Sequence, residues 1–471
     1  LCKIIITSNR PEGDLQNMRK RFVSVDRSTP QMFPPRIDDY LPEDHLARFV
    51  VEIVEQLDLR GLVEAYSGRG SSAYHPAMMA ALLFYGYATG TFSSRKLERA
   101  TYDSIAYRYI CANSHPDHDS INSFRKRFGK ELERLFVEVL AVAREMGMVK
   151  MGTVSLDGTK VKADASRHKA LGWKRAGEIE EQIKKEVEEL MRLGEEAESS
   201  CLPEGMEIPK ELERREDRLE VIRRAKLEIE ARAKRRYEEK VEEYKEKKEK
   251  RGRWEKETGK KPAGREPVEP EEGPGDRDQV NLTDGESRIM PGSGGGFDQS
   301  CNAQAGVEVE SRLIVTRHVT QNTNDKREVE PTLEQLIENK ERLGEADSLL
   351  ADAGYFSESN VDACVRDGVK PYISGNREKH NKPLWERFGQ DEGEETEGPV
   401  TAVEDMRRRL KTMEGKKLYA KRKSTVEPVF GVIKQVMGFR QFLRRGVEAV
   451  GEEWNLVCIG YNLKRMHALM G

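Results

Sequence analysis

Long hydrophobic runs, closely spaced cysteines and a surplus of positive charge are all missing from this chain of 471 residues. No apolar run approaches the roughly 20 residues needed to span a bilayer, so neither a transmembrane helix nor a membrane partner is expected. Leu1-Cys2-Lys3-Ile4-Ile5-Ile6 is too short for a secretory core, and the following Arg10, Lys20 and Arg21 do not suit one. The chain opens on Leu, so a trimmed or truncated start is expected and residues 1–30 are read as an extension. Cys2, Cys111, Cys201, Cys301, Cys364 and Cys458 are scattered, with no Cys-x-x-Cys and no His at ligand spacing. That pattern argues against a zinc ribbon or a disulfide framework and predicts thiols in a reducing cytosol, hence a cytoplasmic protein. His115-Pro116-Asp117-His118-Asp119 has no second ligand pair behind it and reads as a turn and helix cap before Ile121.

The formal net charge is −3, which does not point to a nucleic-acid partner. Its distribution does. From 401 to 471 there are 15 Lys and Arg against 7 Asp and Glu, a local charge of +8. Segregated charge binds a polyanion even when the whole chain is near neutral, because the local patch sets counterion release. Acid collects elsewhere, as in Asp391-Glu392-Gly393-Glu394-Glu395-Thr396-Glu397, read as a solvated loop ahead of the last helices.

The length suits two or three domains, and 37% hydrophobic residues allow a sizeable core. Residues 31–148 read as all-helical. Pro76 opens a helix carrying Met78, Met79, Leu82, Leu83 and Tyr85, weakened from Gly86 to Gly90; a second segment covers Ser94 to Ile110. A third starts near Ser120 and buries Ile121, Phe124, Phe128, Leu132, Leu135 and Val139, with Arg125, Lys126, Arg127 and Lys130 around its first turns. Either this helix presents Arg125 and Arg127 to DNA, or its basic residues are only a wet face. Between 169 and 278 the composition changes: 29 of the 42 residues from Pro209 to Lys250 are charged. Sparse stripes, Ile179, Ile183, Val187 and Leu190, then Leu212, Leu219, Ile222, Ile229 and Ala233, predict two helices paired as an antiparallel coiled-coil arm. Pro262, Gly264, Pro267, Pro270, Gly273, Pro274 and Gly275 form its return linker. Such an arm contacts DNA or a second subunit, or is a solvated spacer.

The remaining residues, 149–168 and 279–450, read as a mixed α/β core, with 451–471 as a terminal helix. Thr153 to Asp157 and Ser348 to Asp352 are short β-rich runs closed by Gly158 and Gly354, each ending in Asp. Phe297 to Val319 reads as a hairpin, Glu328 to Arg342 as a helix, Pro371 to Ile373 as a strand, and Lys416 to Phe439 as a helix burying Val426, Val429, Phe430, Ile433 and Met437. Gly292-Ser293-Gly294-Gly295-Gly296 has no Gly-Lys-Ser/Thr after it and reads as a turn rather than a phosphate loop. Ligands bind at the carboxyl ends of strands in open α/β sheets. Two Asp there, with Glu427 on a helix bearing Tyr419, Arg422, Lys423 and Lys434, make a candidate triad for hard divalent cations among phosphate-seeking groups. Two-metal phosphodiester chemistry needs such carboxylates to flank the ions. Asp164, Asp284 and Asp298 are rival acids in the same region.

At these residues a family resemblance enters. Asp157-Gly158-Thr159-Lys160-Val161-Lys162-Ala163-Asp164-Ala165-Ser166, Cys301-Asn302-Ala303-Gln304, Ala351-Asp352-Ala353-Gly354-Tyr355-Phe356, Val426-Glu427-Pro428-Val429-Phe430-Gly431 and Gly438 to Gly446 resemble the DDE transposases of bacterial insertion sequences. The spacing Tyr419-x2-Arg422-x4-Glu427-x6-Lys434 is similar to their Tyr-Arg-Glu-Lys signature, with four residues rather than three before the Glu; Arg422 and Lys423 therefore both stand for the Arg position. The resemblance implies an RNase H-like catalytic core, preceded by a helical DNA-binding domain and interrupted by the charged arm. It implies Asp157, Asp352 and Glu427 as catalytic metal ligands for Mg²⁺, with Mn²⁺ as a substitute. Tyr419, Arg422 or Lys423, and Lys434 become contacts to double-stranded DNA at the transposon ends. Cleavage, strand transfer and a homodimer or higher oligomer on DNA follow as expectations; the alternative is a catalytically inactive descendant that still binds DNA.

Overall fold

The computed structural model describes residues 24–27, 36–66, 72–196, 208–262, 264–292, 295–375 and 401–471. Most of the expected N-terminal extension, Cys2, Cys201, two residues of the Gly-rich turn and the acidic run at 391–397 lie outside the described residues. The chain forms two compact units. One holds Leu1–Thr159, Asn302–Leu443 and Glu448–Gly471; the other holds Lys160–Cys301 and Arg444–Val447.

The first unit opens with helices α1 (Leu46–Gln56), α2 (Arg60–Glu64), α3 (Pro76–Ala88), α4 (Ser94–Asp103), α5 (Ile105–Ile110), α6 (His118–Arg127) and α7 (Gly129–Glu145). Pro76 stands at the first turn of α3, where its missing N–H costs nothing. The helix continues through Gly86 to Ala88, and Gly86 lets α4 approach: a Cβ there would lie 2.4 Å from Leu97 Cδ2. Asp117 caps α6, accepting from Ser120 N at 2.7 Å, and His118 Nδ1 pairs with Glu98 at 2.8 Å. The His-Asp cluster is therefore a capped helix start, as its sequence suggested. The second expected helical segment breaks at Ser104, whose extended backbone separates α4 from α5.

Strand β1 (Thr153–Lys162) follows and leads into the second unit. There β2 (Ala170–Gly172) precedes helices α8 (Trp173–Glu196) and α9 (Ile208–Thr258), and β3 (Gln279–Asn281) returns antiparallel to β2. The two helices run antiparallel, since Glu180 meets Lys226 and Glu186 meets Arg215. Their seam buries Ala176, Ile183, Ile222, Ala225 and Ile229 against Leu171 and Val280 of the ribbon. Opposite charges flank a narrow apolar stripe, so a segment too polar for a globular core still packs as a helical pair. Strand β4 (Arg288–Pro291) pairs antiparallel with residues 297–300 of β5 (Phe297–Glu308).

Back in the first unit come β6 (Ile314–Thr320), α10 (Val329–Glu338), α11 (Lys340–Leu343), β7 (Ser348–Ala351), α12 (Glu358–Arg366), β8 (Lys370–Ile373), α13 (Ala402–Lys411), α14 (Met413–Gly431) and α15 (Val447–Met470). The sheet order here is β6-β5-β1-β7-β8. β5 and β6 form the antiparallel hairpin, while β1, β7 and β8 run parallel, with Val154 opposite Leu349 and Leu350 opposite Tyr372. Near-continuous burial of Ser348 to Ala351 marks β7 as an interior strand. Helix α15 locks the hairpin: the Asn462 side chain accepts from Ile314 N and donates to Ile314 O, and Trp454 Nε1 donates to Gln304 O at 3.0 Å.

One expectation is corrected. Gly158 does not close the first strand; β1 runs on to Lys162. Only Thr153–Ser155 pair with β7, so Asp157 lies just past the end of its parallel partner rather than at the end of its own strand.

Candidate active site

Asp157 and Asp352 come together, although 195 residues of chain separate them, because β1 and β7 are parallel neighbours. Each carboxylate is fixed by a following glycine: Gly158 N donates to Asp157 Oδ1 and Gly354 N to Asp352 Oδ1, both at 2.8 Å. Asp352 thereby caps the short 3₁₀ turn Ala353–Tyr355. Burial pushes the Asp157 carboxyl up to about 6; the Asp352 and Asp325 charges push the same way, opposed by the Gly158 N–H and by Arg422. The same three carboxylates, after burial itself, hold the Tyr355 phenol well above its ordinary value.

Asp325 escaped sequence reading. It belongs to a polar cluster on the β5 side of the two acids. Asn302 Nδ2 and Gln304 Nε2 both donate to its Oδ1, at 2.6 and 2.8 Å, and Tyr355 Oη donates to Gln304 Oε1 at 2.5 Å. A Cβ on Gly158 would lie 2.3 Å from Gln304 Nε2 and 2.9 Å from Asp325 Oδ1, so only glycine lets the chain pass. A Cβ on Gly354 would lie 2.9 Å from Asp352 Oδ1 and 3.9 Å from Asp325 Oδ2. The signal available in sequence was the polar Asn302-x-Gln304 pair within the stretch Cys301–Val307, which is otherwise small and apolar; Asp325, in an Asn/Asp-rich loop, carried none.

Arg422 on α14 approaches these acids, its Nη1 4.0 Å from Asp157 Oδ2 and its guanidinium 5.9 Å from the Tyr419 ring. Its side chain is only 12% accessible, whereas Lys423 next to it is exposed. Glu427 is exposed on the same helix. Five residues at about 100° each carry it roughly 140° around the axis from Arg422, so the two side chains leave α14 in different directions. Lys434 sits in the π-helical turn Val432–Val436 that follows, half-buried, and burial lowers its pKa.

Two predicted DNA contacts differ in setting. Arg127 is exposed, its guanidinium 5.1 Å from the Tyr66 ring. Arg125 is turned inward, which corrects the expectation that it faces DNA: its Nη1 donates to Tyr87 Oη at 3.2 Å and Phe92 O at 3.3 Å, and its Nη2 to Asn122 Oδ1 at 3.2 Å. The helical bundle takes up its Nη1 and Nη2 donors. The rival acids, all in the second unit, have other partners: Asp164 pairs with Arg445 at 2.8 Å, Asp298 with Lys162 at 3.0 Å, and buried Asp284 caps a turn through Glu286 N.

The carboxylate oxygens of Asp157 and Asp352 fit a hard divalent cation in type and charge. Asn302 Oδ1 adds a neutral oxygen: it is buried with no hydrogen-bond partner among the described residues and lies 2.9 Å from where a Gly158 Cβ would stand. Among the described residues, no three Asp, Glu, His or Cys side chains converge tightly enough to hold a metal by themselves. Asp157 and Asp352 are the two acids whose turns the neighbouring strands bring together. No described helix is long and apolar enough to cross a membrane.

Two family models match the chain. Residues 35–127 match a model described as Transposase domain (DUF772), and residues 278–463 match one described as Transposase DDE domain. The second match contains Asp325, Asp352 and Glu427; Asp157 lies between the two. Neither the curated proteins nor the solved structures contain a significant match.

Proposed function

We propose that this chain, which belongs to the DDE transposases of the insertion-sequence type, binds the terminal inverted repeats of its element and cleaves and joins DNA through Asp157, Asp352 and Glu427. The observation that carries the reading is the meeting of Asp157 and Asp352 at neighbouring parallel strands, beside Arg422. The mixed sheet is consistent with an RNase H-like core. Mg²⁺, or Mn²⁺ in its place, supplies charge stabilisation for the attacking and leaving oxygens when bound. Asp157 and Asp352 would hold it from the sheet, with Glu427 of α14 as the third acid.

The chain's own cations serve the substrate. Water attack on a phosphodiester at the element's end breaks its P–O3′ bond and frees a 3′-hydroxyl, and that hydroxyl then attacks a target phosphodiester and displaces the target's own 3′-oxygen. Arg422 lies beside Asp157 and, as a planar donor, suits the phosphate being cut. Lys423, Lys434, Tyr419 and Arg127 contact the DNA backbone further out. The paired helices α8 and α9 act as an arm against DNA or a second subunit, and handling two ends calls for a dimer or larger assembly. The protein works in the cytoplasm on nucleoid DNA.

The exposed position of Glu427 and the lack of a closed three-acid group among the described residues favour one second reading, a DNA-binding protein without catalysis. Labelled DNA carrying the element's ends, incubated with Mg²⁺ or Mn²⁺ and either the wild-type chain or Asp352→Asn, separates the two. Nicking at the ends that the variant loses supports the transposase mechanism. Binding by both proteins with cleavage by neither leaves the DNA-binding reading.

A further inference from the structure

Beneath the two acids lies a hydrogen-bonded relay that joins their turns. Asp325 Oδ1 accepts from Asn302 and Gln304; Gln304 passes through its Oε1 to the Tyr355 hydroxyl, and Tyr355 closes the turn that Asp352 caps. Asn302 is further pinned by donating to Asn322 O at 3.1 Å. Asn302, Gln304 and Tyr355 are all essentially inaccessible, so water cannot replace a lost partner. With its Nδ2 committed to Asp325, Asn302 directs its unpartnered Oδ1 at the turn carrying Asp157. One anion thus orients two amides that both lie against Gly158, next to Asp157, and Gln304 also reaches the Asp352 turn through Tyr355.

We propose that Asp325 is a positioning residue of the active site, which through Asn302 and through the Gln304–Tyr355 relay sets the Asp157 and Asp352 turns at the separation a divalent cation needs. The inference rests on the transposase reading for the purpose of the site but not for the existence of the relay. The positioning role of Asp325 is carried by the hydrogen bonds it accepts from the two amides, apart from the charge it places near Asp157. Both amides donate to its Oδ1, an atom that Asn can also offer.

The test uses the full chain as wild type, Asp325→Asn, Asp325→Ala and Tyr355→Phe. Mn²⁺ binding is followed by electron paramagnetic resonance, and amide hydrogen exchange is followed across residues 350–358. Loss of a partner one layer behind metal ligands typically costs 10–100-fold in affinity. Asp325→Ala and Tyr355→Phe are expected to weaken Mn²⁺ binding about tenfold or more and to speed exchange in that turn, while Asp325→Asn stays within about threefold of wild type. Rescue by Asn distinguishes positioning from a charge or ligand role. Unchanged Mn²⁺ affinity and exchange in Asp325→Ala overturn the proposal, and so does an Asn variant as weak as the Ala variant. If wild type binds no Mn²⁺, exchange alone decides. Mn²⁺ binding that follows the expected series in a wild-type chain that cuts no element ends refutes the transposase chemistry and leaves the relay standing.

Discussion

Replacing Asp157 by Asn should make the metal-free protein more stable at neutral pH, although it removes a residue assigned to catalysis. Burial is the main cause that raises this carboxyl from 3.8 to about 6, and its side chain is 22% accessible. An acid with a raised folded-state pKa binds a proton that the unfolded chain releases. Its contribution to stability is therefore most favourable below about pH 4, declines as pH rises to about 6, and is flat above that. At about 1.36 kcal/mol per unit, the ionised carboxylate costs at most about 3 kcal/mol at pH 7.5. The Asn side chain keeps an oxygen for Gly158 N–H but gives up the attraction of Arg422 at 4.0 Å, leaving a guanidinium with little access to water. That loss offsets part of the gain, so a net stabilisation of ~1–2 kcal/mol is expected. Urea unfolding of both proteins in chelator at pH 4.5, 6 and 7.5 measures it: the difference should open between the first two values and then level off. Added Mg²⁺ should stabilise the wild type and leave the variant unmoved. A variant less stable than wild type at pH 7.5, or a difference independent of pH, would refute the reasoning.

Three further outcomes follow from named contacts. Gly158→Ala forces a methyl against Gln304 and Asp325 and should lower stability by ~1–3 kcal/mol in urea unfolding, with Mn²⁺ affinity falling as well. Arg125→Ala strips partners from Tyr87 and Asn122 inside the helical bundle; a loss of ~2–4 kcal/mol is expected with the salt dependence of DNA binding unchanged, and a shallower slope would return Arg125 to the DNA surface. Lys423→Ala should weaken binding to all DNA sequences alike and reduce the slope of log affinity against log salt by about one, read by fluorescence anisotropy across a salt series.

Sequence alone determined what depends on local pattern. Pro76 and Asp117 announce helix starts because a missing N–H and a short carboxylate suit a first turn wherever it occurs. The sparse stripe through Ile183, Ile222 and Ile229 foretold two paired helices, since a 3.6-residue period survives even in a charged segment. Asp157 and Asp352 were legible as acids set beside glycine at the ends of apolar runs, and the two family matches agree with the kind of protein those motifs suggested. What tertiary structure decided is which side chains meet. Arg125 and Arg127 are two residues apart on one helix, so no local rule tells that one fills the bundle while the other reaches solvent. β1 outruns β7, and only the register shows that Asp157 stands just past the paired segment. Asp325 has no periodic neighbours at all; it joins the site because the β5 hairpin brings Asn302 and Gln304 beneath it. That contact spans 23 and 21 residues and depends on fold closure rather than on any spacing in the chain.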